Sequence, residues 1–252
     1  MKSAGEVLYE VRGQVAVITI NRPDHLNAIN DAVCKQLTDA FASFEADSAL
    51  RVAILTGAGN KAFSAGRDLK EAAGKTARTP LPVIGEAVHV SKPVIAAVNG
   101  SAVGGGWVFA QMCDLCIAAD TAKFGIAEAK VGRGLHWTPP LVHMVGSRIA
   151  LELMMTGKTI DAQRAAAIGF VNRVVPYADL MPAALAMAEE IIACAPLSVT
   201  NARQMVRHAM NMGVDPALEA GRQLAVQLYA SEDSQEGPRA FREKRKPVWK
   251  GR

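Results

Sequence analysis

The chemistry most directly written into this chain is that of backbone amides. Gly104, Gly105 and Gly106 stand together after an apolar run at residues 94–98 and the pair Asn99-Gly100, and an apolar, helix-compatible stretch follows at 107–112. Strand, glycine bend and helix start aim the unpaired N–H groups of a first helical turn at a ligand, and glycines let the backbone come close to it. A phosphate loop needs Gly-Lys-Ser/Thr at this point, but Gly106 is followed by Trp107; a dinucleotide fingerprint from Gly104 needs glycine where Phe109 stands. The motif then serves either as a donor to a small developing charge, such as a carbonyl oxygen becoming an oxyanion, or as a tight strand–helix turn with no ligand. A second glycine-bearing bend, Ala65-Gly66-Arg67-Asp68-Leu69-Lys70, leads into another helix-compatible stretch.

Other reactive residue types are sparse. Cys113 and Cys116 have C-x-x-C spacing, but no second pair or nearby histidine completes a zinc set, so they read as buried thiols, with redox or metal chemistry the alternative. Residues 239–252 hold seven Lys/Arg against Glu243, a charge of +6 within a total of +4. A basic tail on a near-neutral body points to a local polyanion contact, or to a solvated terminal helix, rather than to a nucleic-acid surface.

The elements that position these groups follow from patterning. Of 252 residues half are hydrophobic and 21% charged, enough for one large domain, or one domain with a smaller terminal piece, and too apolar for global disorder. No apolar run reaches the roughly 18 residues of a membrane span. The N-terminal stretch lacks a signal-peptide core, so a cytosolic (cytoplasmic) home is expected. Residues 7–11 and 15–20 read as a hairpin, Asn30-Asp31 as the cap of a helix carrying Val33, Leu37, Phe41 and Phe44, and 52–56 as the next strand. Residues 72–82 read as a mobile loop. Strands are expected at 115–119, 123–125 and 170–175, and helices at 148–156, 161–168, 181–194, 198–211, 216–230 and 234–245. Alternation followed by an all-helical end implies a mostly parallel α/β unit over 1–180 and a helical region, 181–252, large enough to pack on a neighbouring subunit.

Taken in order, the motifs resemble those of the enoyl-CoA hydratase/isomerase (crotonase) superfamily over essentially the whole chain. They are Asn21-Arg22-Pro23 with Leu26-Asn27-Ala28, Phe63-Ser64-Ala65-Gly66-Arg67-Asp68-Leu69, Lys92-Pro93 through Asn99-Gly100, Gly104-Gly105-Gly106, Cys113-Asp114, Phe124-Gly125 with Glu128, Thr156-Gly157, Ala165 with Gly169-Phe170-Val171-Asn172, and Phe241 with Glu243-Lys244-Arg245. The resemblance implies a spiral of ββα turns whose helical C-terminal region makes homotrimers, often paired as homohexamers. It also implies an acyl-CoA substrate and no metal or redox cofactor, coenzyme A being part of the substrate. On this resemblance the oxyanion hole consists of the backbone N–H groups of Arg67 and Gly105, in agreement with the two glycine bends. Only the backbone of Arg67 is implicated; its side chain is expected to be solvated or near phosphate. The CoA nucleotide would be gripped around Ala65, Asp68, Leu69 and Lys70 and by Phe241 and Lys244, and Asp68 would also organise its turn.

The sequence departs from that pattern at one catalytic position. Typical hydratases of the family flank the substrate with two glutamates; the second is present as Glu128, but the first position is Val108. Two carboxylates suit syn-hydration, which must hold a water and move two protons, each transfer being worth about 10²–10⁴-fold. Glu128 alone suffices for a double-bond isomerase. It also serves a hydratase in which another group orients the water. Trp107, Val108 and His136 are candidates for the acyl pocket; His136, in an atypical stretch, is a candidate for the missing polar contact, with packing or exposure as its alternative. The sequence thus indicates an enoyl-CoA hydratase with Glu128 as acid/base, the isomerase as alternative, and a non-catalytic CoA- or RNA-binding scaffold on the same fold as a lesser one.

Overall fold

In the computed structural model, which describes residues 5–72 and 79–252, two sheets carry the chain. The larger has the order β1 (Val7–Arg12), β2 (Val15–Ile20), β3 (Val52–Gly57), β5 (Val94–Val98), β7 (Leu115–Ala119), β10 (Arg173–Val175), parallel throughout except for the β1–β2 hairpin. The smaller joins β4 (Ala62–Ser64), β6 (Ser101–Val103), β8 (Lys123–Gly125) and β9 (Thr159–Asp161), with only β9 antiparallel. Three times in succession a strand of the large sheet passes straight into one of the small sheet: β3 to β4, β5 to β6, β7 to β8. Helices α1 (Asp31–Ala46), α2 (Leu69–Ala72), α3 (Gly105–Met112), α4 (Pro139–Val145), α5 (Ser147–Thr156) and α6 (Ala162–Ala167) connect and cover them. From α7 (Leu180–Ile192) onward the chain is helical, through α8 (Pro196–Asn211), α9 (Val214–Tyr229) and α10 (Glu232–Arg242).

The strand runs are apolar because the large sheet is covered on both faces. Alternate residues of one strand enter different cores: Ile18, Leu55, Ala96 and Ala118 face the core with α1 and α3, while Val17, Ile54, Ala97 and Ile117 face α7. Ala184 and Ala188, one helical turn apart, let α7 settle close on that second face. On α1, Asn30 Oδ1 accepts the Val33 N–H (2.8 Å), and Val33, Leu37, Phe41 and Phe44 are buried.

Two buried asparagines hold the crossings between sheets. Asn27 Nδ2 donates to the Ala58 and Ala62 carbonyls (2.9 and 2.7 Å). Asn99 accepts from the Gly57 N–H (3.1 Å) and donates to the Gly59 carbonyl (2.7 Å). Further along, Arg203 on α8 pairs with Asp114 (2.5 Å) and donates to the Val90 carbonyl (2.6 Å). The final residues fold back on α10, where the Asp233 carboxylate accepts the N–H groups of Lys250 and Gly251 (2.7 and 2.8 Å).

The hairpin, the first helix, strands 52–56, 94–98 and 115–119 and the four C-terminal helices stand where the patterning placed them, with ends shifted by a few residues. Differences fall where periodicity is short. The chain inserts β6 between the strand at 94–98 and the glycines, and β9 and α4 were not foreseen. The strand expected at 170–175 is β10, starting at Arg173, because Phe170 and Val171 turn in against the core. Of the loop expected at 72–82, residues 73–78 lie outside the described residues. Cys113 and Cys116 are buried free thiols held protonated by that burial, Cys116 pushed up to about 12. Among the described residues no single helix is long and apolar enough to cross a membrane.

The tightest backbone contact lies at Gly106, where an added Cβ would stand 2.1 Å from the Ser64 carbonyl oxygen. Gly106→Ala is expected to lower stability in urea unfolding by about 3 kcal/mol. Gly134→Ala, at a site with nothing within 4 Å, should stay within about 0.5 kcal/mol of wild type.

Candidate active site

The two glycine bends meet. Gly66 has φ +87°, and a Cβ there would lie 2.7 Å from the Val103 carbonyl oxygen and 3.1 Å from the Gly105 nitrogen; one on Gly105 would lie 3.6 Å from the Arg67 nitrogen. The amides of Arg67 and Gly105 are therefore neighbours, brought together by the ends of β4 and β6. Arg67 sits in a one-residue parallel bridge with Ile29. Ile29 N–H donates to the Gly66 carbonyl (2.8 Å) and Asp68 N–H to the Ile29 carbonyl (3.0 Å), which leaves the Arg67 N–H on the opposite side. Gly105 opens α3, so its N–H is among those a helix cannot satisfy. Among the described residues neither N–H has an acceptor. The pair forms a ready-made cradle for one oxygen atom.

Glu128 stands over the same bend. It follows β8 at the head of a 3-10 turn, Glu128–Val131, closed by Gly132 in left-handed conformation. Its Oε1 lies 3.4 Å from the point a Gly104 Cβ would occupy, and its Oε2 is buried with no hydrogen-bond partner among the described residues. An unpaired buried carboxylate oxygen is rare enough to call for a role. Burial pushes the Glu128 carboxyl up from its ordinary range, opposed in part by its own backbone N–H and by the Trp137 side chain. Val108 lies one turn beyond Gly104 on α3 and is buried (3% exposed). The position one turn along α3 therefore carries a buried apolar side chain.

The other expected site residues divide. Ala65, Leu69 and Lys70 are exposed on the solvent side of the Arg67 bend, open to a ligand. Asp68 is engaged: it accepts from Arg22 (3.0 Å) and from the N–H groups of Lys70 and Glu71 (3.2 and 3.3 Å), and the Arg22 hydrogen bond leads in holding its carboxyl below the ordinary range. The Arg67 side chain departs from its expectation of solvent or phosphate. It turns inward, donating to the Cys34 sulfur (3.4 Å) and to the Thr79 carbonyl.

Trp107 is fully buried, its ring centroid 4.4 Å from that of Phe170 and 6.0 Å from Phe124. Its ring packs among core aromatics. His136 is exposed and makes no hydrogen bond or ion pair among the described residues. Phe241 (88% exposed) and Lys244 close α10, which makes no extended contact with α2 or α3, so the chain does not gather them with the two amides. Sequence reasoning passed over Gln111 and Trp137. Buried Gln111 accepts from the Trp107 indole N–H (3.3 Å) and donates to the Trp137 carbonyl (3.1 Å), fastening α3 to the segment that carries Glu128. A glutamine in the apolar stretch 107–112 was the available signal.

A cradle of two amides beside a raised carboxyl, on strands that alternate between two sheets, defines a class of fold and site, and comparison with known proteins agrees. The family model described as Enoyl-CoA hydratase/isomerase matches residues 10–252. The chain is 38% identical over 251 residues to a short-chain-enoyl-CoA hydratase of Clostridium acetobutylicum, covering 95% of each. It is 40% identical over 255 residues to a carnitinyl-CoA dehydratase of Escherichia coli strain K12, covering 95% and 96%. Its fold matches the crystal structure of an enoyl-CoA hydratase from Mycobacterium tuberculosis with a TM-score of 0.91 at 36% identity, over 99% and 100% of the two chains. The chain belongs to the enoyl-CoA hydratase/isomerase family and has the crotonase fold with a helical C-terminal region.

Because its carboxyl is raised in the folded state, Glu128 binds its proton more tightly folded than unfolded. Its contribution to stability is most favourable below the ordinary value of 4.5 and is lost as pH rises through 4.5 and the raised folded value. Glu128→Gln should therefore be more stable than wild type at pH 7, with the difference vanishing near pH 4, as read from urea midpoints at the two pH values.

Proposed function

We propose that the protein hydrates a 2-enoyl-CoA thioester, with the Arg67 and Gly105 N–H groups holding the thioester oxygen and Glu128 moving the protons. The observation that carries this reading is the convergence of two unpartnered amides beneath one half-buried carboxyl with a free oxygen. As the water oxygen bonds to the β-carbon, its proton passes to the Glu128 carboxylate. The electron pair of the double bond moves onto the thioester oxygen, whose developing charge the two N–H groups stabilise by several kcal/mol, since removing one such donor costs about 2.7–4. Protonated Glu128 then delivers that proton to the α-carbon, and one water has been added across the double bond. The raised Glu128 carboxyl suits this shuttle, because a group closer to neutrality gives and takes protons more readily.

Val108 supports a second reading, a double-bond isomerase. There Glu128 takes a proton from the α-carbon of a 3-enoyl thioester and returns it to the γ-carbon, with the same two amides on the enolate and no water to position. For either reaction the exposed turn with Ala65, Leu69 and Lys70 would receive the CoA nucleotide, Asp68 shaping it. The exposed Phe241 and Lys244 would add a ring and a cation from a neighbouring copy of the assembly, since α10 of the same chain is not packed against that turn. The α8–α9 hairpin exposes Val206, Val226 and Tyr229, with Val226 70% and Tyr229 73% accessible, which supports assembly of three or six copies through this region.

A panel of 2-enoyl-, 3-enoyl- and 3-hydroxyacyl-CoA esters tests the reaction. Glu128→Gln should lower turnover by about 10²–10⁴-fold, and the acid limb of wild-type kcat/KM should lie above 4.5, the ordinary value for a glutamate. Undiminished turnover in Glu128→Gln removes this residue as the base. Val108→Glu decides between the readings: a large gain in hydration identifies the natural chain as the isomerase. Light scattering should give three or six times 26.7 kDa, and Val226→Lys should reduce that mass.

A further inference from the structure

The Arg67 amide has no regular element to hold it, since residues 65–68 lie between the end of β4 and the start of α2. Its orientation comes from the bridge to Ile29, and so from whatever fastens the segment before Ile29. That segment is bent hard. Leu26 and Asn27 are consecutive non-glycine residues in left-handed conformation (φ 51° and 53°), an unfavourable state that persists only where surroundings enforce it. The bend turns the Leu26 carbonyl to accept the Ala65 N–H (3.0 Å). Asn27 Oδ1 accepts the Arg22 N–H (2.9 Å) while its amide reaches across to Ala58 and Ala62.

The Arg22 side chain closes this arrangement. Its Nη1 donates both to the Ala28 carbonyl (2.7 Å) and to the Asp68 carboxylate (3.0 Å), and its Nε lies 3.2 Å from Glu6. Asp68 uses its other oxygen for the first turn of α2. Ala28 immediately precedes Ile29 and Asp68 immediately follows Arg67, so one guanidinium joins the two sides of the bridge a single residue from the amide. The side chains of Arg22 and Asp68 are only 11% and 15% exposed, so the pair escapes most of the screening that makes surface ion pairs weak.

We infer that Arg22 is a positioning residue of the active site: through Ala28 and Asp68 it fixes the direction of the Arg67 N–H. The inference rests on the proposed use of that N–H as a donor to the thioester oxygen. Such a donor works because it is aimed before the charge forms, and loosening it loses transition-state stabilisation ahead of substrate binding. An ammonium at position 22 can replace the Nη1 contacts but not the forked reach to Glu6, so lysine restores part of the effect.

The test uses 4-dimethylaminocinnamoyl-CoA, a chromophoric enoyl thioester whose absorption moves to the red when its carbonyl is polarised, together with steady-state kinetics on the preferred enoyl-CoA. Wild type should red-shift the bound probe. Arg22→Met and Asp68→Asn should each cut that shift to about half or less and lower kcat by about 10- to 100-fold, with KM changing far less. Arg22→Lys should fall between them and wild type, and the double variant should be no worse than the singles. Asp68→Asn keeps an oxygen for the α2 turn and supplies the same readout should Arg22→Met not fold. A wild-type complex without a red shift overturns the two-amide reading and this inference with it. A normal wild-type shift retained in folded Arg22→Met and Asp68→Asn overturns the inference alone.

Discussion

The structure depends on one contact between backbones. At Ser64–Gly66 and Gly104–Gly106 the chain following two strands approaches so closely that a Cβ at Gly66 would meet the Val103 carbonyl oxygen at 2.7 Å and one at Gly106 the Ser64 carbonyl oxygen at 2.1 Å. Buried polar groups must be satisfied within the protein, and the asparagines at 27 and 99 do this around the contact, pairing the carbonyls of Ala58, Gly59 and Ala62. The large sheet, covered on both faces, supplies the rigid frame. The small sheet converts that frame into a fixed approach of two peptide planes.

How much of this was legible followed from how local its cause is. Strands such as 52–57 and 94–98 announce themselves because burial on both faces demands an unbroken apolar run. β6 and β9 are three residues each, too short to show a period, and exist because neighbouring strands offer a ladder to them. The glycine bends and their amides were readable, since close approach restricts residue type. The Arg67 guanidinium was not, because its partners, Cys34 and Thr79, are assigned by tertiary packing rather than by sequence spacing. Beside the exposed His136, Trp137 is tied to Gln111 through its carbonyl and to Glu128 through its side chain, contacts that only the folded chain assigns.

Glu128 and Val108 stand on two elements that meet near the glycine bend. Burial raises the Glu128 carboxyl, and Val108, one turn along α3 from Gly104, presents an apolar side chain that is itself buried. Such a site suits reactions in which one group removes and returns a proton on the same face of an enolate.

The amide of Gly105 and the carboxyl of Glu128 issue from adjacent strands, β6 and β8, locked by Ala102 opposite Phe124, Val103 opposite Gly125, and the Gly104 N–H on the Gly125 carbonyl at 3.0 Å. Residues 132–138 leave this ladder as an outlying arch, and Gly132 and Gly134 have open space around them. The arch is tied back at two points, Arg133 N–H donating to the Glu128 carbonyl (2.9 Å) and the Trp137 carbonyl accepting from Gln111 (3.1 Å). A disturbance of the arch is thereby carried back to the carboxyl that β8 presents, because Trp137 belongs to both.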